Sequence, residues 1–422
     1  GGIGGGGSPL LPYCFTTIAN QRKNHSAVSI NAGGVRAWRA PNHQQACFLT
    51  DCAIDDIADK LGMDPLDVFH KNAEFTPRAE VYRMQLAKAA ELMDWKKKWH
   101  KRGDSGSGTV KRGLGLGIHT WGGGGHASQA RTKIFPDGSV EVEIGSQDLG
   151  TGTRTAIAIV AAETLGLPIS AIKVKIGDNA YPPSGGSGGS TTIGGVSAST
   201  RKSVTNALDK LFDIAAPALG VGKDQIEAVD GRIQVRGAAA KNLTWKAACS
   251  KLGAQGISEM GANDPKNPGG LISAGVGGVQ MAEVEVDTET GIVKMIKSVA
   301  VQDCGTLVNL KTAESQVHGG CIMSICSALM EERVMDQQTG RVLNAEMEFY
   351  KLAGIGDIGE IVVYMNPEPE FDKRGVIGLG EPASIALVTA IANAATNAIG
   401  VRIPGLPLTP DRVLAALERR NA

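Results

Sequence analysis

Apolar positions recur at helical spacing over the first hundred residues and at strand spacing in several later segments. In residues 51–72 (DCAIDDIADKLGMDPLDVFHKN), Ile54, Ile57, Ala58 and Leu61 share one helical face, and Asp64-Pro65 restarts the chain as a second helix. The pattern therefore predicts a helical hairpin there and another helix over 77–93, running out in WKKKWHKR. Residues 103–113 read as a loop. ARTKIFPDGSVEVEI then alternates on both sides of Pro136-Asp137-Gly138, which predicts a β-hairpin. A helix is expected at Thr155–Leu165, a strand at Ile172–Ile176 and a second helix over roughly 196–216. MAEVEVDTETGIVKMIKSVAVQDC predicts another hairpin, turning near Thr290-Gly291, and helices follow over 311–332 and 384–399. Helices mixed with antiparallel hairpins predict an α+β fold rather than a doubly wound parallel sheet. No internal repeat of about 20–50 residues is visible.

Charge narrows the function. The chain of 422 residues carries 43 Lys+Arg and 43 Asp+Glu, so it presents no global field for a polyanion. Lys96, Lys97 and Lys98, set between Trp95 and Trp99, then read as a solvated helix end with two anchoring indoles rather than a nucleic-acid patch. Aromatic residues are only 4%, too few for stacked platforms under single strands. No run approaches the roughly 18 uninterrupted apolar residues of a membrane helix, so no membrane span is expected. GGIGGGGSPLLPYC lacks the basic start and apolar region of a signal peptide. Of seven cysteines, Cys47/Cys52 and Cys321/Cys326 give C-x4-C, but neither pair has a third cysteine two residues on. Buried thiols, and no iron–sulfur cluster, are expected of this chain.

Glycine is the compositional anomaly, 56 residues or about 13% against a usual 7% or so. It concentrates in Gly122–Gly125, in 145–155 (GSQDLGTGTRT), in 184–199 (SGGSGGSTTIGGVSAS) and in 378–382 (GLGEP). The middle two segments each lie between an expected strand and an expected helix. There, exposed N–H groups, small hydroxyl side chains and the positive helix end suit an anion such as a phosphate. The two segments are not a Walker loop, since GxxxxGK[ST] is absent, and GTGTRT is not the GxGxxG dinucleotide fingerprint.

Taken in order, these segments resemble the molybdenum-binding subunit of the xanthine dehydrogenase/aldehyde oxidase family. Residues 31–41 (NAGGVRAWRAP) are similar to its substrate-side loop, and 145–155 and 184–199 to two pterin-binding loops. Gln302-Asp303-Cys304-Gly305 through Glu314-Ser315-Gln316-Val317-His318-Gly319-Gly320 resembles its DCG…GQ segment. GLGEP and the following ALVTAIANAATNAIGVRIPGLPLTPDRVLAAL resemble its C-terminal signature. The QDLGTGTRT and AWRAP wording is most similar to bacterial aldehyde oxidoreductases that carry molybdopterin cytosine dinucleotide.

The resemblance implies a molybdenum-hydroxylase large-subunit architecture with mixed and antiparallel sheets. It divides the chain into the end of a first molybdenum-binding domain, 1–112, and a second cofactor-binding domain, 113–422. It implies hydroxylation of a carbon with oxygen from water, molybdenum acting as Lewis acid and a base removing a proton from the attacking oxygen. Glu381 is that base by resemblance. Arg39 would orient a substrate carbonyl or stabilise charge on its oxygen, and Trp38 would pack a wall of the substrate channel, while Arg36 reads as structural. Gly150, Thr151, Gly152, Thr153, Ser190, Thr192, Gly194, Gly195, Val196, Ser197, Gln316 and Gly380 would bind the cofactor. The dithiolene would hold the metal, with no protein ligand, and His43, His119, His126 and His318 read as satisfied or solvated.

Aldehyde oxidation to carboxylic acids is the expected reaction. Hydroxylation of isoquinoline- or nicotinate-like N-heteroaromatics, or a non-catalytic cofactor-binding role, are the alternatives. The implied partners are a chain carrying the N-terminal molybdenum-domain half, a [2Fe–2S] subunit and an FAD subunit. The compartment stays open between cytoplasm and periplasm, the latter reached through a partner's export signal.

Overall fold

Helix ends are set locally in the first part of the chain. In the computed structural model, which describes residues 10–26, 28, 31, 36–266, 275–366 and 371–421, α1 spans His43–Leu61, α2 Pro65–Asn72 and α3 Ala79–Met93. Gly62 stops α1 in the left-handed conformation, its N–H turned back onto Ala58 and Asp59 carbonyls. Asp64 caps α2 by accepting the Leu66 N–H, and Pro65 supplies a first helical residue that needs no N–H partner. The short α4 (Trp95–Lys98) carries the three lysines. Trp95 beneath them is fully buried with its indole N–H donating to Asp64.

The rest of the chain follows as β1 (Val110–Trp121), β2 (Ser128–Ile134), β3 (Val140–Ile144), α5 (Thr153–Leu165), β4 (Ile172–Ile176) and α6 (Thr192–Leu219). Next come β5 (Ile226–Val229), β6 (Arg232–Val235), β7 (Ala238–Thr244), α7 (Trp245–Cys249) and β8 (Ile257–Asn263). The chain closes with β9 (Val276–Asp287), β10 (Val293–Gln302), α8 (Leu310–Leu329), β11 (Glu360–Met365), α9 (Phe371–Arg374), α10 (Leu387–Ile399) and α11 (Pro410–Asn421). The expected hairpins form as β2–β3 and β9–β10. The helix expected from 196 instead starts at Thr192, which draws four residues of the glycine-rich segment into its first turn.

Among the described residues, two four-stranded sheets run in the orders β1-β9-β10-β11 and β4-β3-β2-β8, with a small sheet β5-β6-β7 beside them. Each large sheet is antiparallel except for one parallel pair, β10–β11 and β3–β4. This is the α+β architecture expected. The first sheet is covered by α10, all thirteen residues of which are buried. Among the described residues one helical segment, Pro382–Ile399, is long and apolar enough to cross a membrane, and it is enclosed entirely by protein. Alternate glycines of β1 face it: a Cβ on Gly113 or Gly115 would lie 2.2 Å from the Ala394 or Ala390 carbonyl oxygen. The glycines therefore let an alanine-rich helix lie close on the strand. The second sheet packs against α5 and α6 around Ile134, Val142, Ile157 and Leu211. On the other face of the first sheet a third cluster joins Phe69, Leu86 and Met93 to Leu116, Ile118, Met281 and Val301. Position 112/113, the expected domain boundary, lies inside β1, and this cluster draws on residues from both sides of it.

Candidate active site

Three helices aim their N-termini at one cavity of about 410 Å³: α5 through Thr151–Thr153, α6 through Ser190–Ile193, and α8 through Asn309–Gln316. The turn Val376–Glu381 forms the remaining wall. Gly152 begins α5 with φ 86°, and a side chain there would also press on Thr312 at 3.0 Å. Asn309 caps α8 by accepting the Thr312 N–H. The α6 and α8 N-termini and the hydroxyls of Thr151, Thr153, Thr192 and Thr306 offer the lining's donors to an acceptor-rich ligand. Asp148 already meets the α5 N-terminus, and the Ser190 and Thr312 hydroxyls donate to Glu381 and the Asn309 carbonyl.

Glu381 stands at the edge of this cavity, half-buried. Its Oε1 accepts the Ala40 N–H (3.3 Å) and its Oε2 accepts the Ser190 hydroxyl (3.2 Å). Ser190 Oγ in turn accepts the Glu381 backbone N–H (2.8 Å). Both residues that support the carboxylate are non-glycine residues in left-handed backbone, Ala40 at φ 58° and Ser190 at φ 60°. Such geometry costs on the order of 1–3 kcal/mol per residue and gathers where a site over-determines the chain. Gly378 allows the close approach: a Cβ on it would fall 1.5 Å from the Ser190 carbonyl oxygen.

Arg39 lines the same cavity. Its Nη2 donates to the Gln316 carbonyl (3.0 Å) and to Gln316 Oε1 (3.4 Å), and Nη1 donates to Met323 Sδ at 3.6 Å. Its Nε is buried without a partner. Burial pulls the guanidinium below the usual arginine value, opposed by Cys321 and Glu381.

Of the residues expected at the site, Arg39, Thr151, Gly152, Thr153, Ser190, Thr192, Gln316, Gly380 and Glu381 line the cavity together. Gly150, Gly194, Gly195, Val196, Ser197 and Trp38 do not. Gly150 and Gly152 spend their N–H groups on Asp148 Oδ1 (3.0 and 3.3 Å), and Arg154 N–H binds Asp148 Oδ2, so these amides brace the loop itself. Burial would raise the Asp148 pKa, but these backbone donors outweigh it and hold the carboxyl low. Gly194 and Gly195 serve packing: a Cβ on either would strike the segment at Gly125 and His126. Val196 and Ser197 are buried in the helix interior. Trp38 is 40% exposed, and residues 32–35 of the substrate-side segment lie outside the described residues.

Sequence reasoning missed Asp148, Asn309 and Thr312. Asp148 had a local signal, an aspartate two and four residues ahead of glycines that need their N–H groups satisfied. Asn309 had one too, as a capping residue ahead of an apolar helix. Among the histidines, His119 is buried, held by Gln302 Oε1 (2.8 Å) and pushed down to about 4 by burial. His126 binds Ser184 and Thr191, His43 binds Tyr13, and His318 is exposed. All seven cysteines are buried. Among the described residues, no group of three His, Cys, Asp or Glu side chains is placed to hold a metal ion.

Residues 88–359 match the molybdopterin cofactor-binding domain family, and residues 11–73 match a second family model of the same description. The chain belongs to the xanthine dehydrogenase/aldehyde oxidase family of molybdopterin-binding proteins. It is 30% identical over 409 residues to PaoC, an aldehyde oxidoreductase molybdenum-binding subunit of Escherichia coli, covering 94% of this chain and 54% of that protein. It is 28% identical over 431 residues to the xanthine dehydrogenase molybdenum-binding subunit of the same species, covering 96% and 56%. In fold it is similar to quinoline 2-oxidoreductase from Pseudomonas putida 86, with a TM-score of 0.80 at 22% identity, over 90% of this chain and 53% of that one. The chain thus spans about half the length of the relatives it matches.

Proposed function

We propose that this chain is the catalytic portion of a molybdenum hydroxylase that oxidises aldehydes to carboxylic acids with oxygen from water. The observation that carries this reading is Glu381: a carboxylate at the edge of a donor-rich cavity, fixed by one backbone N–H and one hydroxyl. The cavity suits a pterin with a phosphate tail, because hydroxyls, the Gln316 amide and helix N-termini stand there among apolar residues such as Leu149, Leu307 and Leu379. When bound, molybdopterin, here in its cytosine dinucleotide form, supplies the Lewis-acid metal and accepts the two electrons of the oxidation.

The chain's own groups do the rest. Thr151, Thr153 and Thr192 hold the pterin and phosphate through their hydroxyls, with the α6 N-terminus beside Thr192, and Gln316 meets the pterin edge in an orientation set by Arg39. Glu381 takes the proton from the attacking oxygen onto its carboxylate. Arg39 stabilises negative charge developing on the aldehyde oxygen. [2Fe–2S] and FAD groups on partner chains would supply the route for the electrons, and a further chain would supply the rest of the pterin pocket. The test is Glu381→Gln in the assembled, molybdenum-loaded complex. Turnover should fall by at least the 10²–10⁴ or so of a lost general base, with cofactor content unchanged. Activity within about tenfold of wild type would remove Glu381 from this role.

A further inference from the structure

The two segments that support Glu381 meet a common neighbour at the end of β1. The Trp121 indole Nε1–H donates to the Gly189 carbonyl at 3.0 Å. Gly189 (φ 64°) and Ser190 (φ 60°) are consecutive left-handed residues, so this bond fastens the turn from which the Ser190 hydroxyl reaches the carboxylate. Two residues beyond the indole, the Gly123 carbonyl accepts the Gly378 N–H (3.1 Å), tying the start of GLGEP to the same strand end. The indole also lies 4.4 Å, centroid to centroid, from the His43 imidazole, with the planes at 50°. His43 follows the Ala40 segment and closes it, its N–H donating to the Ala40 carbonyl at 3.1 Å. Tyr13 holds the imidazole from behind, Oη to Nδ1 at 3.0 Å, and donates to the Thr120 carbonyl. Trp121 thus touches both segments that donate to Glu381.

We propose that Trp121 is a positioning residue of this site: its N–H sets the Gly189–Ser190 turn and its ring sets the Ala40–His43 segment, so that both donors meet the Glu381 carboxylate. The inference rests on Glu381 being the base. A tryptophan that only filled space, packed as it is between two core clusters, would need its ring and not its N–H.

The experiment separates these by replacing Trp121 in the assembled complex with benzothienylalanine, which keeps the ring shape and removes the N–H, beside Trp121→Phe. Backbone hydrogen exchange at residues 188–191 and steady-state kinetics are read on each. The isostere should speed exchange there and lower kcat about tenfold, the effect of one neutral hydrogen bond, with KM within about twofold and cofactor content unchanged. Wild-type exchange and kcat in the isostere would overturn the proposal. Faster exchange with unchanged kcat would also overturn it, since the turn would then be anchored without bearing on the base, and so would loss of cofactor from the isostere. Failure of the base reading shows separately, as an active Glu381→Gln complex, whereas the exchange measurement reports the turn whatever Glu381 does.

Discussion

Ser190 and Glu381 hold each other: the serine hydroxyl donates to the carboxylate while accepting the glutamate's own backbone N–H at 2.8 Å. The exchange fixes the carboxylate relative to its own main chain. It requires Ser190 to sit at φ 60°, where a side chain is disfavoured. Stability is thus set against position at this residue.

Replacing Ser190 separates the two terms. Ser190→Gly should relieve roughly 1 kcal/mol of backbone strain, which the two lost hydrogen bonds offset. Its thermal midpoint should therefore lie above that of Ser190→Ala rather than above wild type, while losing the hydroxyl lowers kcat about tenfold. Ser190→Ala should lose the activity without the relief of strain. Thermal unfolding and kinetics on both variants check this. A fully active Ser190→Gly complex would show that the hydroxyl does not position Glu381.

Arg39 holds Gln316 and borders the cavity, so Arg39→Ala should act on cofactor and substrate together. The expected loss in kcat/KM is larger for aldehydes than for neutral N-heterocycles, because only the aldehyde places developing charge on an exocyclic oxygen. Parallel assays on one aldehyde and one quinoline-type substrate measure it. Equal losses on both would favour hydroxylation of heteroaromatics as the native reaction.

Asp51 predicts an opposite kind of pH dependence from ordinary carboxylates. It is fully buried between α1 and β1, its Oδ2 accepting only the Ile118 N–H and the Cys47 thiol, and burial raises it to about 8. The folded chain therefore holds this proton where the unfolded chain, with an ordinary value of 3.8, has released it. Asp51 thus favours the folded state at low pH, and that contribution is lost as pH rises from about 4 to about 8. Denaturant titrations across this range should show Asp51→Asn flattening the decline and gaining most, relative to wild type, above pH 8. A variant whose pH profile overlays that of wild type would exclude Asp51 as the source.

The proposed partners predict a mass. Native mass spectrometry after gentle purification should find this chain in a hetero-oligomer with a second molybdenum-domain chain and an iron–sulfur chain. Acid treatment of that complex should release molybdenum and a cytosine nucleotide together. An active, cofactor-loaded species at the mass of this chain alone would refute the partner assignment.

Much of the frame is legible in the sequence because it is local. Gly62 and Asp64-Pro65 stop and restart the first helices through their own φ angles and side-chain bonds, with little help from the rest of the chain. The β2–β3 and β9–β10 hairpins follow from alternation and short turns. Glu381 and the hydroxyls of Thr151 and Thr192 were visible as residue types at the starts of apolar helices, whereas Gln316, inside α8, stood out only through the family resemblance. β1 was not visible. Leu114, Leu116 and Ile118 alternate along it, but glycines stand where polar residues would complete the strand pattern, and their purpose appears only where α10 lies on them.

Tertiary structure decided which glycines bind and which merely admit a neighbour. Gly152 and Gly194 belong to similar strings, yet Gly152 turns the chain into α5 at the cavity while Gly194 lets α6 pack on Gly125. Local sequence carries propensity and φ preference, whereas the approach of one backbone to another depends on how distant strands and helices pair. The carboxylate shows this most directly. Its two donors stand 341 and 191 residues away along the chain, so no spacing rule could name them. Folding alone brings Ala40, Ser190 and Glu381 within hydrogen-bond reach, because the sheet that ends at Trp121 holds their three segments side by side.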